Sequence, residues 1–285
     1  MHDDIHVVLD SISAALEMDI KNDPRCHVLR LIVGHGDLEW YDGDRSLEEM
    51  FAMVESSGQL PKTSQPPVGE IIELFTNLSR QGKKILMVTV SSVLSGTYQT
   101  ACQVAKQVMR EVEGADIRVV DSKTAACPIV GIAQEILDRT AAGMSLDEAE
   151  KLANDMVART DTYFSVNTLE YLQKGGRIGA ASAFLGSIFG IRPIIHIGND
   201  GQLQPYDKCR TRKKVLKRMV ESAAQHAPLE AIYVAHAVAE EDAKSMEKQM
   251  QELFPGVPTL MSGIGSVLAA HLGPGVIGIF VRHKA

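Results

Sequence analysis

The sequence predicts a two-domain α/β protein: a parallel-sheet α/β domain over residues 1–160, then an α+β domain with a mixed sheet over residues 161–285. Three observations carry this expectation. A chain of 285 residues exceeds the length at which a single hydrophobic core still grows efficiently, so two cores are expected. Up to residue 160 short apolar runs alternate with segments of helical periodicity, the pattern of βαβ units. Beyond that point come a glycine-rich turn, a long apolar stretch and a hairpin signal.

In chain order, residues 5–9 and 28–33 read as short apolar strands. Residues 46–55 read as a helix, opened by Ser46 with Glu49 three positions on, the spacing of a capping box. Pro66 and Pro67 introduce an amphipathic helix over 68–80, stopped near Gly82. Residues 84–90 form a continuous apolar run, typical of a strand buried on both faces. A helix over 97–112, a strand over 117–120, a helix over 128–140 and one over 145–159 complete the first half. In the second half, 161–166 reads as a strand, and 192–197 and 201–205 as two strands around Asn199-Asp200-Gly201, a hairpin signal. Helices over 212–225 and 240–253 flank a strand at 231–235, and strands at 259–261 and 276–281 end the chain. There is no internal repeat and no low-complexity segment.

Composition narrows the function. Hydrophobic residues make up 45% of the chain and charged residues 23%, enough for two cores and a pocket. The net charge of −7 argues against a nucleic-acid binder, which carries a basic face. Basic residues do gather at Arg210, Arg212, Lys213, Lys214, Lys217 and Arg218, as a solvated helix face or a docking surface. Cys26, Cys102, Cys127 and Cys209 are far apart, and the N-terminus is not signal-like; free thiols and a cytoplasmic location follow. No apolar run reaches the roughly 20 residues that span a bilayer, so stable membrane insertion is not expected.

Chain direction locates the chemistry. In a parallel sheet the helices run against the strands, so each helix begins near the carboxyl edge of the sheet. The hydroxyl-rich loops holding Thr63, Ser64 and Gln65, and Ser91, Ser92, Ser95, Gly96 and Thr97, therefore converge, with Asp10-Ser11 and Asp121-Ser122 on the same rim. Helix N-termini with added hydroxyls suit a carboxylate, and Gly96 admits close approach to the backbone. The plainer reading is that Thr63, Ser64 and Ser95 cap their own helices.

Enzyme signatures are sparse. There is no P-loop, and Gly34-His35-Gly36 and Gly263-Ile264-Gly265 lack the third glycine of a dinucleotide fingerprint. The nine histidines, His2 and His6 included, show no zinc spacing. A serine–histidine–acid triad stays open, because triads assemble in space, although Leu94-Ser95-Gly96-Thr97 is not a nucleophile elbow. No metal or cofactor is expected.

Five motifs in order, Thr63-Ser64-Gln65-Pro66-Pro67-Val68-Gly69-Glu70, Ser91-Ser92-Val93-Leu94-Ser95-Gly96-Thr97-Tyr98, Val120-Asp121-Ser122-Lys123, Leu172-Gln173-Lys174-Gly175-Gly176-Arg177-Ile178 and His271-Leu272-Gly273-Pro274-Gly275, resemble the motif series of the bacterial DegV family. The resemblance covers nearly the whole chain. It implies two domains with a long-chain fatty acid buried between them and no catalytic residue of the chain's own. For the best-understood members it also implies service as the acyl-binding subunit of a fatty acid kinase, whose catalytic subunit makes an acyl phosphate for phospholipid synthesis. By the match, Thr63, Ser95 and Gly96 hold the carboxylate with Ser64 beside them, and His271 joins their network. Arg177 lies in the glycine-rich motif, and Arg210 and Arg212 in the kinase- or phosphate-facing basic segment. One departure is local: the family's opening strand ends in Asp-Ser-Thr-Ala-Asp-Leu, and this chain has Asp10-Ser11-Ile12-Ser13-Ala14-Ala15-Leu16.

A buried acyl chain gains about 0.8 kcal/mol per methylene, so some fifteen supply roughly 12 kcal/mol before ordering costs. Residues 184–191 and the methionines are candidate tunnel lining, or else ordinary core. The competing classes are a hydrolase or acyl transferase using Ser95 with His271, and a lipid-responsive regulatory protein.

Overall fold

The computed structural model describes residues 4–186 and 190–285. The first half runs β1 (Ile5–Asp10), β2 (Cys26–Leu29), β3 (Ile32–His35), β4 (Leu38–Tyr41), α1 (Leu47–Ser57), β5 (Lys62–Ser64), α2 (Val68–Arg80), β6 (Lys84–Thr89), α3 (Thr97–Glu111), β7 (Ile117–Asp121), α4 (Pro128–Ala141) and α5 (Leu146–Ala158). The second runs β8 (Thr160–Ser165), α6 (Glu170–Lys174), β9 (Arg192–Ile197), β10 (Leu203–Cys209), α7 (Arg212–Ala224), β11 (Leu229–His236), α8 (Glu240–Leu253), β12 (Thr259–Gly263), α9 (Ser266–Leu272) and β13 (Ile277–His283).

The apolar runs of the first half pair as an all-parallel sheet in the order β2-β1-β6-β7. Successive side chains on a strand point to opposite faces, and both faces are covered. Val7, Leu9, Leu86 and Val88 pack with α4 and α5, while Val8, Ile85 and Met87 meet Ile71, Phe75 and Val104 of α2 and α3. Ser46 and Ser145 each close a capping box, with Glu49 and Glu148 respectively.

The second half forms a mixed sheet in the order β10-β9-β8-β13-β11-β12, antiparallel throughout except for the parallel pair β11–β12. α7 and α8 cover one face, through Val215, Met219, Ala243 and Met246. The other face, with Phe164, Ile195, Ala235 and Phe280, shares one core with Val33, Met50, Val90 and Ala125 of the first half. Polar contacts stitch the same junction. Ser91 Oγ donates to Gly201 O at 3.1 Å, and the Thr124 and Thr162 hydroxyls meet at 3.0 Å.

Two expectations are corrected. Residues 28–33 are not one strand: β2 ends at Leu29 in the parallel sheet, and β3 begins at Ile32 in a separate antiparallel sheet of order β4-β3-β5. Gly34 and His35 end β3, and Gly36 takes φ +60° in the tight turn into β4. Thr63 and Ser64 likewise lie on a strand, β5, paired with β3. The short helices α6 and α9, of five and seven residues, are too short for a periodic pattern and carry no helical signal in the sequence.

Candidate functional site

The shared core is incompletely filled. A cavity of about 270 Å³ lies between the halves, lined by Ile12, Leu31 and Val90 from one side and Phe164, Ile197 and Phe280 from the other. Its wall is apolar apart from Thr162, whose hydroxyl meets that of Thr124, and from one end, where Thr63, Ser64, Gln65, Ser95, Gly96, Arg177 and His271 meet. The parallel sheet explains the first five of these: β5 leads into α2, and the β6–α3 connection delivers Ser95 and Gly96 to the same carboxyl edge.

The polar end is specific in its hydrogen bonds. Thr63 Oγ1 and His271 Nε2 stand 2.7 Å apart, across 208 positions of sequence. Ser95 Oγ meets Thr97 Oγ1 at 2.9 Å and accepts from the Thr97 backbone N–H at 3.3 Å, so Ser95 does bond the first turn of its own helix. Among the described residues Thr63 and Ser64 cap no helix, and α2 opens after Pro67 with no side-chain cap. Gln65, quoted in its motif but not singled out there, has Oε1 accepting from Thr100 Oγ1 at 3.0 Å and within 3.1 Å of where a Cβ on Gly96 would stand. A bulkier residue at position 96 would press on that amide.

Arg177 projects from the turn after α6 and spans the junction: its Nε donates to Leu94 O at 3.3 Å and its Nη1 to Gly175 O at 2.7 Å. Burial, and secondarily the Arg177 charge, push the His271 imidazole down to about 4. The ring is therefore neutral at physiological pH. His271 Nδ1 is buried without a hydrogen-bond partner among the described residues. It faces Gly175, where a Cβ would stand 2.5 Å from Nδ1 and 2.8 Å from Tyr171 O. Gly175 has an ordinary φ, so what position 175 requires is room for the ring and not a special backbone. Gly176 beside it takes φ +71°.

Other expectations fall elsewhere. Arg210 is exposed, and Arg212 Nε binds Asp242 Oδ2 at 2.7 Å, tying α7 to α8; neither lines the cavity. Among the described residues no methionine lines it either, and Met50, Met87, Met219 and Met246 fill the cores instead. Of the stretch 184–191, Phe184 packs on the shared core, Leu185 is exposed, and none of its described residues lines the cavity. Ser187, Ile188 and Phe189 lie outside the described residues. Ile12, where the family motif has threonine, adds apolar wall. All four cysteines are free. Among the described residues no helix is long and apolar enough to cross a membrane, and no cluster of histidine, cysteine or carboxylate side chains could hold a metal.

Known proteins share this fold. A DegV domain-containing protein of Listeria monocytogenes serovar 1/2a is 32% identical over 284 residues, spanning 98% of each chain. The protein DegV of Bacillus subtilis strain 168 is 31% identical over 285 residues, spanning 96% of this chain and 98% of its own. Among solved structures, that of a DegV family protein from Thermus thermophilus, described for its fatty acid binding, superposes with a TM-score of 0.88 at 27% identity, covering 99% of both chains. A crystal structure of Bacillus subtilis DegV, described as a fatty acid binding protein, gives a TM-score of 0.83 at 28% identity over 98% of this chain and 99% of that one. The family model described as "Uncharacterised protein, DegV family" matches residues 4–284, and with it the chain belongs to the DegV family.

Proposed function

We propose that this protein binds a long-chain fatty acid, with its carboxylate at the Thr63–Ser95 end and its acyl chain in the apolar cavity. The observation that carries the reading is the segregation of that cavity: hydroxyls, one neutral imidazole and one arginine at one end, and elsewhere an aliphatic and aromatic wall whose one hydroxyl, on Thr162, is taken up by Thr124. An acyl chain gains by burial along its whole length, whereas its carboxylate must keep hydrogen bonds as it leaves water. Donation from His271 Nε2–H to Thr63 Oγ1 leaves the Thr63 proton free for a ligand oxygen, and Ser95 O–H supplies a second donor. The relatives described as fatty acid binding proteins support the same ligand class.

Mass spectrometry of lipid extracted from freshly purified protein tests this directly, with one fatty acid per chain expected. Thr63→Ala with Ser95→Ala removes both hydroxyl donors, each worth about 1–3 kcal/mol to a charged acceptor. Lipid occupancy in the double variant should fall at least tenfold; unchanged occupancy would move the carboxylate elsewhere.

The chain acts on this reading as a carrier and not as a catalyst. A serine hydrolase would need His271 within reach of Ser95 and an acid on the far nitrogen of the ring. Instead His271 bonds Thr63, and its Nδ1 faces Gly175 with no acidic partner. We further propose, from the family resemblance, that a fatty acid kinase catalytic subunit phosphorylates the presented carboxylate, with the exposed Arg210 on its docking face. Arg210→Glu should then slow kinase-dependent acyl phosphate formation several-fold while leaving the bound lipid in place. Arg212 is the poorer probe, because its reversal also breaks the Asp242 pair. Full turnover by the Arg210 variant would remove the basic segment from the docking face.

A further inference from the structure

α9 forms part of the cavity wall through Val267, Leu268, His271 and Leu272, and both its ends are fastened to the same three-stranded sheet. At its far end His271 meets Thr63 of β5. At its start stands Asp42, the residue directly after β4, with no exposed surface. Asp42 Oδ1 accepts from Ser266 Oγ at 2.8 Å and from the Val267 backbone N–H at 3.2 Å. The approach is close enough that a Cβ on Gly265 would stand 2.7 Å from each carboxylate oxygen. Asp42 is itself anchored, its N–H donating to Leu31 O at 2.9 Å, with the Ser11 hydroxyl beside its carboxylate.

The two fastenings lie five residues apart on one helix, about 7.5 Å along its axis. A helix of seven residues has little cooperativity of its own, so tertiary contacts set its position. If the first fastening slips, the second must shift too, and with it the residues lining the cavity between them.

We propose that Asp42 is a positioning residue for the ligand-binding end of the cavity: by holding Ser266 and Val267 it sets the axial position of α9 and so places His271 against Thr63. The role in ligand retention rests on the fatty-acid reading above; the placement of His271 does not. Asp42 touches no ligand on this account and acts only through the helix.

The test reads His271 itself, by nitrogen-15 NMR of its imidazole across a pH titration of the ligand-free full-length chain. In the native protein the ring should hold one tautomer and titrate near 4. In Asp42→Ala it should exchange between tautomers and titrate at least one pH unit higher, as α9 shifts and water reaches the ring. Asp42→Asn keeps an amide oxygen that accepts from both Ser266 and Val267, and should restore the native signal. A retained lipid should dissociate roughly tenfold faster from the alanine variant, the scale of one lost buried hydrogen bond. A drop in thermal stability with an unchanged His271 titration would overturn the proposal and leave Asp42 a packing residue. Should Asp42→Ala fail to fold, Ser266→Ala decides: a smaller shift in the same direction supports the proposal, and no shift overturns it. A native protein found without lipid would sink the fatty-acid reading alone, since the titration needs no ligand.

Discussion

Gly175→Ala is expected to empty the site while leaving the chain folded. The added methyl would stand 2.5 Å from His271 Nδ1 and 2.8 Å from Tyr171 O, inside any tolerable contact. One neighbour is backbone in the first turn of α6, so the ring is what can give way. Moving it breaks the 2.7 Å bond to Thr63 and drives the imidazole into the space the ligand head group would fill. Overpacking of this kind costs about 1–3 kcal/mol, a tolerable fraction of a typical stability of about 5–15 kcal/mol. The lipid extracted from purified protein should fall more than tenfold, with the urea unfolding midpoint only modestly lower. Full occupancy would show that the ring has a second place to go and that its bond to Thr63 is dispensable.

The second large effect concerns Asp10, which ends β1 and is fully buried. Its two carboxylate oxygens accept from the Val90 N–H at 2.7 Å and the Ile12 N–H at 3.1 Å, tying the ends of the two central strands together. Asp10→Ala strands both N–H groups, at about 1–3 kcal/mol each. For a chain of this size that is a fall in Tm of roughly 5–15 °C. Burial raises the Asp10 carboxyl from 3.8 to about 7 against the opposing pull of those N–H bonds, with the Asp42 carboxylate adding to the rise. The folded chain therefore binds a proton here that the unfolded chain releases from about pH 4 upward. This contribution is fully present below that pH and is lost as pH rises through 7, an effect on the order of 4 kcal/mol. His271, held down to about 4, works in the opposite sense: its contribution is present above 6.5 and lost as pH falls through 4. The His271 part is common to native chain and variant and cancels in their difference. Thermal denaturation from pH 5 to 8 should thus show the Asp10→Ala deficit shrinking as pH rises. A deficit independent of pH would mean that Asp10 ionises normally despite its burial.

Much of this architecture is legible in the residues. The strand over 84–89 announces itself because burial on both faces requires an unbroken apolar run, and Val68–Arg80 because its apolar face repeats at helical spacing with prolines ahead of it. Chain direction in a parallel sheet then suffices to bring Thr63 and Ser95 to one rim before any coordinate is known. What misled was local. Residues 28–33 form one apolar run, yet the break at Arg30 and Leu31 sends its ends into different sheets, and apolarity does not record which sheet a residue enters. For the methionines and residues 184–191 tunnel and ordinary core both stayed open, because a dry cavity and a dry core demand the same side chains. For the basic run a solvated helix face and a docking surface both stayed open, and the sequence does not pair Arg212 with Asp242, which lies 30 positions away on another helix.

The sequence by itself determined the fold class, the family and the rim on which the hydroxyls gather, because these follow from periodicity, strand direction and ordered motifs. Only the tertiary structure decided which groups touch: that His271 meets Thr63 and not Ser95, that Gly175 is there to make room for a ring, and that Asp42 grips the helix bearing that histidine. The reason is separation along the chain. Thr63 and His271 are 208 positions apart, and Asp42 and Ser266 are 224. Contacts across such distances are chosen by how the sheets and a short helix pack, and no local preference of the residues themselves encodes that choice.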